Sequence, residues 1–121
     1  MAAEVALTDY AAEDLEGLDR SAQLLVIKGL FKLAADPAKR GKPLGSKAGG
    51  NLTGFRCLVV GNRDYRIVYQ VLDDGSLAVV SVIARRGDDE CYKLAVARMQ
   101  LHSDQDVRDL AVPLKSILDP E

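Results

Sequence analysis

Gly54-Phe55-Arg56-Cys57-Leu58-Val59-Val60-Gly61-Asn62-Arg63-Asp64-Tyr65-Arg66-Ile67-Val68-Tyr69-Gln70-Val71 reads as two strands joined by a tight turn. β-branched and aromatic residues dominate both halves, and Gly61-Asn62 offers residues that tolerate positive φ between them. A third apolar run, Leu77 to Ala84, follows a second turn at Asp73-Asp74-Gly75. Strands over about 54–61, 64–72 and 77–84 therefore form a meander. Arginines interrupt it at Arg56 and Arg66, and Arg85-Arg86 close its last strand. A sheet rarely carries cations on its strands unless that face meets solvent or an anion. Such a set of guanidiniums points to a phosphate-rich ligand.

Upstream, Glu4 to Leu7 is a short strand candidate, and Thr8 or Asp9 is placed to cap a helix that ends near Gly17. Asp19 or Ser21 restarts a second helix, in which Leu24, Ile27, Phe31 and Ala34 mark an inner stripe widened by Leu30 and Leu33. Asp36-Pro37 ends it, because proline disfavours helical geometry in the residue before it. Residues 39–54 read as a basic, glycine-rich loop without the GxxxxGK[ST] pattern of a phosphate cradle. Downstream, a helix is predicted from Asp88 or Asp89 to about Leu101, with Tyr92, Leu94, Ala95 and Met99 on its inner side. Val107, Leu110, Ala111, Leu114 and Leu118 make a last helical stripe that Pro113 interrupts. The fold class is α+β: two N-terminal helices packed on a small, mainly antiparallel sheet, with C-terminal helices. The expected division is a domain over 1–101 and a helical extension over 102–121.

Bulk properties bound the function. A chain of 121 residues supports one modest core. No apolar run approaches the roughly 20 residues of a membrane span, and the N-terminus lacks a signal peptide's pattern, so a cytoplasmic location is expected. Cys57 and Cys91 have no metal-ligand spacing and read as free thiols. No metal or cofactor is called for. The net charge of −2 hides a segregation: residues 28–66 carry nine basic against two acidic side chains, whereas residues 1–27 carry one against six. That distribution concentrates a positive field which the total conceals.

Asp36-Pro37, Gly41-Lys42-Pro43-Leu44, Leu52 with Gly54-Phe55-Arg56, the run Asp64 to Val71, and Arg85-Arg86 ahead of Tyr92 together resemble the RelE/ParE superfamily of bacterial toxins, its RelE branch most closely. The similarity spans about residues 4–101. It implies a toxin of a type II toxin–antitoxin system, a ribosome-dependent endonuclease of messenger RNA held inactive by a cognate antitoxin, in some cases in higher-order complexes. By the same resemblance, Arg56 orders the scissile phosphate, Arg66 and Arg86 stabilise its charge, and Tyr92 stacks on a base or helps deprotonate the attacking 2′-hydroxyl. Lys42, Lys47, Arg63 and Arg85 are then expected RNA contacts. Three departures stand out: Leu58 replaces a lysine of some members, the spacing from Arg56 to Tyr65 is one residue longer, and Asp88-Asp89-Glu90 precedes Tyr92. The alternatives are a ParE-like inhibitor of DNA gyrase, which is not an enzyme, and an attenuated relative that only binds its antitoxin.

The chemistry agrees with the residue types. Arginine, with a pKa above about 12, is a poor proton donor and acts as an electrostatic stabiliser. Tyr92 is the acid/base candidate of the matched set, and His102, the single histidine, lies outside the strand cluster. The expectation is that Arg56, Arg66, Arg86 and Tyr92 converge on one cavity.

Overall fold

Two side-chain caps start the helical layer. Thr8 Oγ1 accepts from the Ala11 amide at 3.2 Å and Asp19 Oδ1 from the Ala22 amide at 2.8 Å, so orphan donors of the first turns of α1 (Asp9–Glu16) and α2 (Arg20–Ala35) are satisfied. The computed structural model describes residues 3–45, 52–61, 64–72, 75–85, 88–99, 111–114 and 116, with only the backbone at 52, 53, 88, 89 and 99. The strands are β1 (Glu4–Leu7), β2 (Lys42–Gly45), β3 (Leu52–Val60), β4 (Tyr65–Leu72), β5 (Leu77–Ala84) and β6 (Val112–Pro113), and α3 (Asp88–Met99) follows β5. Their order in the sheet is β2-β3-β4-β5-β1-β6. The meander β3-β4-β5 is antiparallel, as is β2 on β3, whereas β1 lies parallel to β5.

Side chains on the two faces of the sheet build two cores, by alternation along β3 and β4 and, in β5, with the parity reset at the register shift between Val80 and Val82. On one face Tyr65, Ile67, Tyr69, Val80 and Ile83 pack against Leu15, Val26, Leu30 and Leu33 of α1 and α2. On the other, Phe55, Cys57, Val68 and Val82 pack against Cys91, Tyr92 and Ala95 of α3. The α+β architecture read from the sequence is therefore observed, with helices on both faces.

Three local readings change. The inner side of α2 is formed by Ala22, Val26, Leu30 and Leu33, while Leu24 and Phe31 are 54% and 57% exposed. The helix is apolar nearly all round, so periodicity alone does not choose the face. Gly29 does: a Cβ there would sit 2.6 Å from Val60 Cγ1, so this position is where α2 approaches the sheet. Within the glycine-rich segment, Lys42–Gly45 forms the edge strand β2 instead of loop. Finally, Val112–Pro113 pairs with β1 as a two-residue edge strand and Leu114 enters the core. Proline fits there because an edge strand does not require its missing N–H. Val107, Leu110 and Leu118 of the predicted C-terminal stripe, with His102, lie outside the described residues.

The ladder of β1 on β5 ends at Leu7↔Val80, and among the described residues no strand pairs with the far half of β5 on that side. Asp14 of α1 and Arg98 of α3 close it. Asp14 Oδ2 accepts from the Ile83 amide at 3.0 Å and from Arg98 Nη1 at 2.7 Å, and Arg98 Nη1 also donates to the Ser81 carbonyl at 2.7 Å. Arg98 Nη2 reaches Asp14 Oδ1 at 3.1 Å, and the guanidinium carbon lies 5.2 Å from the centre of the Tyr10 ring. A bidentate pair that also satisfies two strand groups is worth more than an exposed ion pair. Asp14→Ala strands both Arg98 and the Ile83 amide. Chemical denaturation should show a loss of about 2 kcal/mol, given the usual strength of hydrogen bonds to charged groups. A loss below about 0.5 kcal/mol, typical of surface sites, would show that the clasp is ornamental.

Candidate functional site

Strand register decides which of the candidate side chains meet. In the β3–β4 hairpin Arg56 stands opposite Tyr69, Cys57 opposite Val68, and Val59 opposite Arg66. Directly paired residues share a face, and neighbours along a strand alternate. Arg56 therefore lies on the α1–α2 side and Arg66 on the α3 side. Tyr92 belongs to the α3-side core, 8% exposed. The expected convergence of Arg56 with Arg66 and Tyr92 is not found.

The register accounts for this: with Arg56 opposite Tyr69 and Val59 opposite Arg66, the two arginines differ in parity and so in face. A one-residue change in hairpin register moves a side chain to the opposite face. The β3 positions that share the Arg66 face are Cys57, which is buried, and Val59, which is 40% exposed. Arg66 itself is half-buried, with Ala84 as its neighbour on β5. Lys42 is exposed and pairs with Cys57, which places it on the Arg66 side, and Arg85 is exposed at the bend ending β5. Arg86, Lys47 and Arg63 lie outside the described residues.

Arg56 has a structural task. Its Nε donates to the Arg40 carbonyl at 2.7 Å and its Nη2 to the Gly41 carbonyl at 3.1 Å. Gly41 holds φ +64, and a Cβ on it would come within 2.6 Å of the Cys57 carbonyl oxygen, so glycine is needed at this close crossing. The Tyr69 hydroxyl stands 2.8 Å from the Pro37 carbonyl and 2.6 Å from the Arg40 carbonyl, sharing its one proton between them. Arg56 and Tyr69, paired across the hairpin, thus fasten the turn that leads from α2 into β2. Burial raises the Tyr69 pKa above its ordinary value of 10, against the opposing hydrogen bond and charge of Arg56.

The geometry defines a small α+β sheet with a helix pair on one face and a single helix, carrying the candidate tyrosine, on the other. A family model described as the ParE toxin of type II toxin–antitoxin systems matches residues 5–89. The chain belongs to this family, within the RelE/ParE superfamily of toxin–antitoxin toxins. Among solved structures, a chain of the RelBE2 toxin–antitoxin complex from Mycobacterium tuberculosis is 26% identical, with a TM-score of 0.61 over 71% of this chain and 100% of that one. Free Escherichia coli toxin RelE, solved as a double arginine-to-alanine mutant, shares the fold at 20% identity, with a TM-score of 0.62 over 82% of this chain and 99% of that one. A search of curated proteins finds no match.

Because Tyr69 is neutral when folded at ordinary pH and resists ionisation, its contribution to stability is fully present below the unfolded tyrosine pKa of about 10. It is lost as pH rises through the higher folded value. Tyr69→Phe should cost about 1–3 kcal/mol near neutrality and flatten the fall in stability above pH 10. An unaltered alkaline limb in the variant would contradict this assignment.

Proposed function

We propose that this toxin is a ribosome-dependent endonuclease of messenger RNA, working on the α3 side of the sheet. The observation that carries the reading is that Arg66, half-buried on β4, shares this side with Tyr92 of α3. In the proposed reaction the 2′-oxygen bonds to phosphorus and the bond to the 5′-oxygen breaks, leaving a cyclic phosphate and a 5′-hydroxyl. Arg66 and Arg86 stabilise the charge on the phosphorane oxygens, and Tyr92 stacks on a base or, as its phenolate, takes the 2′-hydroxyl proton, while solvent water protonates the departing 5′-oxygen. Lys42 and Arg85 contact flanking phosphates, joined by Lys47 and Arg63. Arg56 has no place in this step, since it holds the Arg40 and Gly41 carbonyls from the other face. The ribosome aligns the substrate, which suits a site with few acid–base groups and a cytoplasmic protein. A cognate antitoxin is the expected partner, as the complexed relative from Mycobacterium tuberculosis is a toxin–antitoxin assembly.

A second reading is favoured by one observation. Cys57 and Val59 leave β3 without a cation on the Arg66 face. An inhibitor that binds DNA gyrase needs no phosphate-stabilising group there, and that is the ParE-like alternative. Ribosomes translating a defined message separate the two. Purified toxin is expected to make codon-phased cuts, and Arg66→Ala to slow them by on the order of 10²–10³, as for removal of one preorganised charge stabiliser. Intact message together with blocked supercoiling by gyrase would overturn the endonuclease in favour of the inhibitor.

A further inference from the structure

α2 carries two apolar lines, and the sheet takes only one of them. Ala22, Val26, Leu30 and Leu33 are buried against it. Leu24, Ile27, Phe31 and Ala34 form the second line, at the alternating three- and four-residue spacing through which paired helices interlock. Ile27 and Ala34 are half-buried along the margin of the core, whereas Leu24 and Phe31 are 54% and 57% exposed. α1 borders this line on one side, where Gln23 Nε2 donates to the Leu15 carbonyl at 3.1 Å. On the other side Lys28 and Lys32 lean toward β3 and leave the line clear. A helix that is apolar nearly all round is normally covered all round.

The ends of the line differ in charge. Arg20, exposed, stands one turn before Leu24, and Asp36 closes the helix a little over one turn after Phe31. The carbonyls of the last turn add partial negative charge beside Asp36. A surface that is positive at one end, negative at the other and apolar between is complementary to its own inverted copy. With two such helices antiparallel, Leu24 rests on the partner's Phe31, and Arg20 reaches the partner's Asp36, each contact made twice. A parallel pair would set Arg20 beside its own copy. A lipid surface would accept Leu24 and Phe31 but supplies no opposite charges for the two ends. We infer that two copies of this chain associate through the exposed line of α2, antiparallel about a two-fold axis.

Sedimentation equilibrium of the purified full chain tests this and should show a reversible monomer–dimer equilibrium. Leu24→Ser with Phe31→Ser, both at exposed positions, should weaken association roughly a hundredfold by removing two apolar contacts. The melting temperature of the dilute, monomeric protein should stay unchanged. Arg20→Glu and Asp36→Arg should each weaken association on the order of tenfold, since either change sets like charges together at both ends. Mixed in equal amounts, these two variants should recover most of the loss, because the mixed dimer has opposite charges at both ends. A monomer at every concentration overturns the proposal. A dimer indifferent to the Leu24 and Phe31 changes overturns it by placing the contact elsewhere, and absence of recovery on mixing overturns the antiparallel pairing. Message cleavage enters none of these readings, so their outcome is separate from that of the endonuclease.

Discussion

The pairing of Arg56 with Tyr69 across the β3–β4 hairpin fixes which side chains each face of the sheet presents. From that pair, alternation places Leu58 and Val60 against α2 and leaves Cys57 and Val59 on the side of Arg66 and α3. The same pair anchors the turn into β2 through three backbone carbonyls, those of Pro37, Arg40 and Gly41. A one-residue slip of this register would turn Arg56 to the Arg66 face, and the turn would lose its clasp. Arg56 and Arg66 are thereby divided between two sides of one sheet.

That division extends to the helices. α1 and α2 cover the side where Arg56 works as a fastener, and α3 covers the side of Arg66. The two layers touch through Asp14 and Arg98, which cap the open part of β5 and tie α3 to α1. Tyr92 is carried on the same helix as Arg98, one to two turns away, so the clasp also fixes the helix that presents the tyrosine. For the proposed endonuclease such fixed placement would matter, because a site with few acid–base groups works by alignment and charge.

Much of the architecture was legible from residue patterns. Thr8 and Asp19 act as the caps their side-chain oxygens suggest, and the β3-β4-β5 meander lies where its turn residues place it. What escaped has physical reasons. α2 offers apolar residues all round, and only the close approach at Gly29 reveals the inner face. β2 is short, exposed at most positions and rich in turn formers, so it carries no strand periodicity. The roles of Tyr69 and Asp14 depend on partners 29 and 69 or more residues away. The facing of Arg56 depends on the pairing register of β3 with β4, which the strand pattern alone leaves open.

The most direct measurement compares Arg56→Met with the wild type for melting temperature and for message cleavage by the fraction that remains folded. Losing two charge-assisted hydrogen bonds should lower the melting temperature by about 4–8 °C, with cleavage per folded molecule within about threefold of wild type, well short of the 10²-fold loss of a charge stabiliser. Cleavage lost by that larger factor at an unchanged melting temperature would contradict the division of the two faces and return Arg56 to the reacting phosphate.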